Sequence, residues 1–371
     1  MRYGDLFTGF GGATIGAMAA GLTPLWGIEL DPVIAAVANE NLGGHVMVTN
    51  ILDVDPATLP KVDVLHASPP CPNFSIAKVG GKETELDIAL AKKVAEFIRV
   101  IDPMIFTLEN VYAYRHSKSW NIINDALYEL GYWVSAEKVN AADYGVPQSR
   151  KRMIVRAVRG GWVPYLPEPE SWVGWYEAIE DLIPTLPDSQ FAPWQLKRLP
   201  DELRTMLLAH GAHGGKVVNV CEEEPAFTVT SNSNQTNIKA VLVGGANTSE
   251  DQAAEGVGLS EMSEPSRCVN ASNSQHWRGL LIPGDNSSNG TIRYADEPMV
   301  TLQTRAPGQC THRAYTGYRV VSMTPRCLAR FQSFPDSYML PKSKTLAAKG
   351  IGNAVPPLLY QKIIRQLVRE V

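Results

Sequence analysis

Residues Gly4–Gly16 read "GDLFTGFGGATIG": a short apolar strand, a glycine-rich turn, then a helical pattern continued by Ile15, Met18 and Ala19. Glycine accepts positive φ and lets a ligand approach the backbone, as a strand-to-helix turn at a cofactor site requires. The spacing is F-x-G-x-G-G rather than G-x-G-x-x-G, a poor match to a dinucleotide fingerprint. The following "LTPLWGIELDP" (22–32) predicts a second strand ending in an acid, Glu29. In doubly wound folds an acid at that place binds a ribose hydroxyl pair. Taken alone, the turn fits a nucleotide-type cofactor, a nicotinamide oxidoreductase or a purely structural bend.

Working outward, strand and helix patterns alternate. "VDVLHAS" (62–68) reads as a buried strand, "LDIALAKKVAEFIRVI" (86–101) as a helix, and "MIFTLENV" (104–111) as a strand ending in Glu109 and Asn110. "NIINDALYELGY" (121–132) reads as an amphipathic helix stopped at Gly131. Such alternation predicts a mostly parallel sheet with ligands beyond the carboxyl ends of its strands. Glu29, Cys71 and Glu109 all fall at those ends, which places them in one cleft. In "ASPPCPNFSI" (67–76), Pro69, Pro70 and Pro72 flank Cys71. Proline fixes φ and removes a donor, so this stretch suits a rigid mount for a side chain.

The bulk composition narrows the classes. The chain has 371 residues, 44% hydrophobic and 19% charged, enough for a sizeable core plus an insert or second lobe. Net charge is −4 with pI near 6.0, so nucleic-acid binding would need basic residues gathered on one face. Five cysteines without a C-x-x-C pair argue against a disulfide framework and a zinc ribbon. "MRYGDLFTGF" shows no signal peptide, and no apolar run approaches the roughly 20 residues that span a bilayer. A monomer in a reducing cytoplasm, with no membrane and no metal, is the expectation. A Cys–His protease lacks a histidine in a comparable motif, since His66 lies inside the strand before Cys71.

Taken in order, the motifs resemble the DNA (cytosine-5)-methyltransferase family of bacterial or phage type. The matching residues are "DLFTGFGG" (5–12), Glu29, "SPPC" with "FS" (68–75), "ENV" (109–111), "YGVPQSRKR" (144–152), "RFQSFPDSY" (330–338) and "GNAVPP" (352–357). The resemblance implies an α/β fold: a Rossmann-like S-adenosylmethionine-dependent methyltransferase domain with a smaller β-rich target-recognition domain. It divides the chain into a catalytic domain, 1–160 completed by 320–371, and a target-recognition domain, 161–319. It implies methyl transfer from S-adenosylmethionine to C5 of cytosine in duplex DNA, with S-adenosylhomocysteine as product. The base is flipped out of the helix, and Cys71 adds to its C6. Glu109 would hold the N3–N4 edge of cytosine, Arg152 would reach O2, Arg150 would lie nearer a phosphate, and Asn110 would steady the turn.

For the cofactor, the resemblance implies Phe7, Gly9, Phe10, Gly11 and Gly12 in the turn and Glu29 on the ribose. Asn50, Ile51, Pro70, Asn353 and Val355 match further contact positions. Two departures stand out. Asn50 replaces the usual aspartate at the adenine amino group, keeping an acceptor but losing the charge, with Asp53 as a possible substitute. Pro72 stands where glutamine is common. The segment "NFSIAKVGGKETE" (73–85) has the composition of a lid hinged at Gly80–Gly81, with Ser75, Lys78 and Lys82 on DNA. Its plain alternative is an ordinary surface loop.

After Arg159 helical periodicity fades. "LLAHG" (207–211), "VLVGG" (241–245) and "LLIPG" (280–284) each begin a unit that continues to a Glu-Pro pair, at 224–225, 264–265 and 297–298. This predicts three related β-rich units with polar tips. Asn232, Asn234, Gln235, Asn273, Gln275, Arg305 and Gln309 are the side chains on those tips suited to base edges. A purely structural repeat is the alternative. Against DNA methylation stand an RNA cytosine-5 methyltransferase on the same scaffold and a non-catalytic DNA-binding relative. A cognate restriction endonuclease is a possible partner.

Overall fold

In a computed structural model the described residues are 1–70, 83–187, 189, 280–282, 293–294, 299–300, 313–315 and 320–371. The chain forms two compact units. The larger contains Met1–Val173 and Leu328–Val371.

Its centre is a seven-stranded sheet. In chain order the strands are β1 (Arg2–Leu6), β2 (Thr23–Glu29), β3 (Val46–Val48), β4 (Val64–Ala67), β5 (Ile105–Val111), β6 (Tyr132–Asn140) and β8 (Lys151–Arg159), with the short β7 (Gln148–Ser149) outside it. The spatial order is β3-β2-β1-β4-β5-β8-β6. Strands β1 to β5 run parallel, and β8 runs antiparallel to both β5 and β6. The order reverses between β1 and β4, and ligands of open α/β sheets bind beyond the carboxyl ends at such a switch point.

Helices cover both faces: α1 (Gly12–Ala19), α2 (Pro32–Leu42), α3 (Glu85–Ile101), α4 (Lys118–Glu129), α7 (Lys344–Asn353) and α8 (Pro357–Glu370). Their termini are written in the sequence. Asp31 caps α2 ahead of Pro32, Thr84 and Asp87 make a capping box on α3, and Ser117 caps α4. The apolar stripes of α3 and α4, including Val94, Phe97, Ile98, Trp120 and Ile123, bury one face of the sheet. On the other face α1 and α8 pack with Tyr3, Val64, Ile105, Tyr360 and Ile364. The close crossing of α1 and α8 requires small residues. A β-carbon on Gly16 would stand 2.5 Å from the Pro357 carbonyl oxygen.

The smaller unit contains Gly174–Val300 and Gln309–Cys327. Its described elements include α5 (Trp175–Ile179) and an antiparallel sheet of β9 (Leu280–Ile282), β10 (Arg293–Tyr294), β12 (Arg313–Tyr315) and β13 (Val320–Ser322), ordered β10-β9-β12-β13. β9 lies on the "LLI" that opens the third repeat, and β11 (Met299–Val300) follows the third Glu-Pro pair. Helix α6 (Pro325–Phe331) precedes the "QSFPDSY" stretch. Among the described residues no helix is long and apolar enough to cross a membrane.

Candidate active site

The glycine turn leaves β1 with three left-handed residues, Phe7 (φ 65°), Gly9 (φ 56°) and Gly11 (φ 76°). Backbone bonds from Thr8 to the Ile28 carbonyl and from Gly11 to the Thr8 carbonyl, 2.9 and 2.8 Å, fold it against β2. Glu29 stands at the end of β2 and accepts from the Gly9 and Asp31 N–H groups, both at 2.9 Å. A side chain at Gly9 would have room but not the conformation, since nothing lies within 4 Å of its β-carbon position. Helix α1 begins at Gly11 without a side-chain cap. Donors without a cap, a half-buried carboxylate and open space beside Gly9 together suit a nucleoside-bearing cofactor. Farther along, Asn50 Oδ1 accepts from the Leu52 N–H at 3.1 Å, and Ile51 is buried.

The C-terminal segment supports the turn. Tyr338 donates its hydroxyl to the Phe10 carbonyl at 2.8 Å, and its ring packs against Phe10 and Phe334. Gly350 lies so close to the Phe10 ring that no side chain fits there. Asn353 is exposed and Val355 buried, and the carbonyls on either side of Asn353 are both held. Arg150 Nη1 donates to Gly352 at 3.0 Å, and Gln332 Nε2 donates to Ala354 at 2.5 Å.

The opposite side is set by the pairing of β5 with β8. Its register places Val111 against Arg152 and Glu109 against Ile154, so Glu109 and Arg152 meet as diagonal neighbours on one face. Glu109 is 6% exposed, with Oε1 3.1 Å from Arg152 Nε and 3.7 Å from Arg150 Nη2. Burial, then the neighbouring Arg152 charge, pushes the Arg150 guanidinium below its ordinary range, while Glu109 pulls the other way. Arg150 is 2% exposed, so its observed partners are Gly352 and Glu109. Asn110 donates Nδ2 to the Pro69 carbonyl at 3.1 Å and accepts from the Val111 N–H at 2.8 Å. One side chain thereby holds the backbone two residues before Cys71.

The two sides are tied together. Ser68 donates to the Phe7 carbonyl at 3.2 Å, and Arg150 links Glu109 to Gly352. The Asn110–Pro69 and Ser68–Phe7 bonds thus join the end of β5 to the glycine turn, and Pro70, next to Pro69, is exposed. Cys71, Ser75, Lys78 and Lys82 lie outside the described residues, as do Asn232, Asn234, Gln235, Asn273, Gln275, Arg305 and Gln309. Gln332 and Tyr338 sit inside a quoted motif, yet the sequence assigned them no role. Only the fold brings them to the carbonyls they hold. Among the described residues no cluster of His, Cys, Asp and Glu is arranged to hold a metal.

An α/β sheet with this glycine turn at its switch point and a buried acid between arginines suits an enzyme that uses a nucleoside-bearing cofactor. The model of the C-5 cytosine-specific DNA methylases matches residues 1–369. The chain belongs to that family and is a DNA (cytosine-5)-methyltransferase. It is 28% identical to the type II methyltransferase M1.HphI of Haemophilus parahaemolyticus over 100% of this chain and 87% of that protein. It is 26% identical to M.DdeI of Desulfomicrobium norvegicum over 98% of this chain and 87% of that protein. The fold matches an E. coli prophage protein described as a DNA modification methyltransferase, with TM-score 0.60, 20% identity and coverage of 100% and 99%.

Proposed function

We propose that this enzyme methylates cytosine in a specific duplex sequence through base flipping and a covalent Cys71–C6 intermediate. The observation that carries the proposal is Glu109 between Arg150 and Arg152, with Asn110 fastening the chain that leads into Cys71. The Cys71 thiolate forms a bond to C6, and the C5–C6 π electrons make C5 nucleophilic. Glu109 bonds the N3–N4 edge and Arg152 the O2 as negative charge spreads over the ring. S-adenosylmethionine, when bound, supplies the methyl group that C5 takes. A water or hydroxide then removes the C5 proton, restoring the double bond and expelling the thiolate.

Phe7, Gly9, Phe10, Gly11, Gly12, Glu29, Asn50, Ile51, Pro70, Asn353 and Val355 would hold S-adenosylmethionine, with Glu29 on the ribose and Asn50 at the adenine amino group. The burial of Arg150 favours a role in organising Glu109 over direct phosphate contact. Residues 161–319 would form the target-recognition domain of a monomeric cytoplasmic enzyme, reading bases through Gln235, Gln275 and Arg305, while Ser75, Lys78 and Lys82 meet DNA beside the flipped base. The likeness to type II methyltransferases supports a place beside a restriction endonuclease.

Duplex DNA carrying 5-fluorocytosine tests this reading. The parent is expected to form a stable adduct with S-adenosylmethionine present, and Cys71→Ser to form none, with methyl transfer lowered on the order of a thousandfold or more. Equal rates in parent and variant would overturn it. Methyl transfer to tRNA in preference to duplex DNA would move the substrate to RNA.

A further inference from the structure

The carboxyl end of β5 carries a second group of charges, on the turn Tyr112–His116 that leads to α4 and on the neighbouring strand β6. Arg115 Nη1 donates to the Tyr112 hydroxyl at 2.7 Å, and the guanidinium carbon lies 5.6 Å from the centre of the Tyr112 ring. Lys138 Nζ lies 4.8 Å from the same ring centre. Both cations are exposed. Strand register fixes where they stand: Arg152 on β8 is opposite Val111 on β5 and Val139 on β6. Tyr112 and Lys138 are the chain neighbours of those two residues. The pair of cations therefore borders Arg152, which in turn meets Glu109.

These charges are not balanced by acids. Elsewhere on the larger unit cations meet carboxylates, as Arg2 meets Asp63, Arg99 meets Glu129 and Arg330 meets Asp336. Arg115, Lys138 and the exposed Lys118 and Lys151 have no carboxylate partner among the described residues. Two acids lie near in the chain and both are engaged. Glu83 accepts from the Lys118 N–H at 2.8 Å and the Ser119 N–H at 2.6 Å, and Glu137 pairs with Arg156 at 2.7 Å. Gathering like charges costs stability, and the Tyr112 ring offsets only part of that cost. An anion from outside the chain offsets the rest. We propose that Arg115 and Lys138, held on the Tyr112 ring, bind phosphates of the duplex DNA whose cytosine enters beside Glu109. A base held at Glu109 and Arg152 keeps its own strand's backbone at the rim of the site, where these two cations stand. Arg115 offers a planar fork of donors and Lys138 a point charge, and such contacts set the position of a duplex without reading its sequence. The proposal rests on Glu109 and Arg152 as the base site.

The experiment measures duplex DNA binding over a series of salt concentrations for the parent, Arg115→Gln, Lys138→Gln, their double variant, Tyr112→Phe and Arg369→Gln. Each lost phosphate contact lowers the slope of log K against log salt by about 0.9. Arg115→Gln and Lys138→Gln are each expected to lose about that much, and the double variant about twice as much. Tyr112→Phe keeps both charges and therefore the parental slope. Arg369 is exposed in the last turn of α8, where Leu367 packs with Val64 and Ile105, the first residues of β4 and β5, at the opposite end of the sheet. Arg369→Gln therefore removes a charge and keeps the parental slope. A parental slope in the double variant overturns the proposal, as does an equal fall in Arg369→Gln. Should the double variant not fold, the two single variants carry the same comparison. Failure of the base-site reading shows separately, as a parent that forms no adduct with 5-fluorocytosine DNA, because the slopes are read from binding alone.

Discussion

Asp5 on β1 and Glu109 on β5 are both acids sunk into the same sheet, 1% and 6% exposed, and their surroundings are opposite. Among the described residues Asp5 meets no cation: its Oδ2 accepts from the Thr14 hydroxyl at 2.6 Å, and its Oδ1 has no partner among them. Burial raises its pKa to about 7, the Thr14 bond opposes that, and the Glu29 charge adds to it. Glu109 stands between two guanidinium groups that the β5–β8 register brings to it. Beside the glycine turn, Asp5 holds the first turn of α1 through Thr14. At the end of β5, Glu109 is set among fixed cations, an arrangement that under the proposed mechanism would face charge developing on the base.

The sharpest break of this comparison is at Glu109. Glu109→Gln is expected to lower kcat by about 10²–10⁴-fold with S-adenosylmethionine affinity unchanged, as read in steady-state kinetics and calorimetry. Equal losses in both would make Glu109 a structural acid like Asp5. Arg150→Ala removes a buried cation and the donor to Gly352, and is expected to cost about 3–5 kcal/mol of unfolding free energy in urea. On the Asp5 side the signature is pH. A carboxyl protonated in the fold and ionised in the unfolded chain makes stability fall as pH rises from about 4 to about 7. Asp5→Asn stays neutral, so the parent should lose up to about 4 kcal/mol relative to it across that window. His66 works in the other direction. Burial holds its pKa down to about 3, so its contribution is lost as pH falls below the unfolded value. A parent-minus-variant difference cancels the His66 effect and isolates Asp5. The smallest effect belongs to Tyr338→Phe, which leaves the Phe10 carbonyl without its donor. A loss of about 1 kcal/mol should weaken S-adenosylmethionine binding roughly fivefold in titration calorimetry.

Much of the larger unit was legible because local rules and tertiary packing agree there. The strand-to-helix turn at Gly9–Gly12, the strand ending at Glu29 and the helix over 85–101 follow from glycine, apolar periodicity and caps. Arg150 was less legible. Its motif position implies a place near a phosphate and says nothing of Gly352, the residue 202 positions away whose carbonyl the buried guanidinium holds. Glu83 gave no signal, since a glutamate before a helix looks like an ordinary first-turn acid.

Order, residue type and spacing by themselves determined the family and the α/β alternation, and singled out Glu29, Glu109, Arg150 and Arg152 as candidates for the site. Those are properties of short stretches, where conformational freedom, side-chain length and apolar period act within a few bonds. Tertiary structure alone decided which buried charge meets which partner, which carbonyls of "GNAVPP" are clamped, and that Pro69 is tied to β5 and Glu83 to the start of α4. Such bonds join residues tens to hundreds of positions apart. Their energies depend on desolvation and distance, which exist only once the sheet has closed around them.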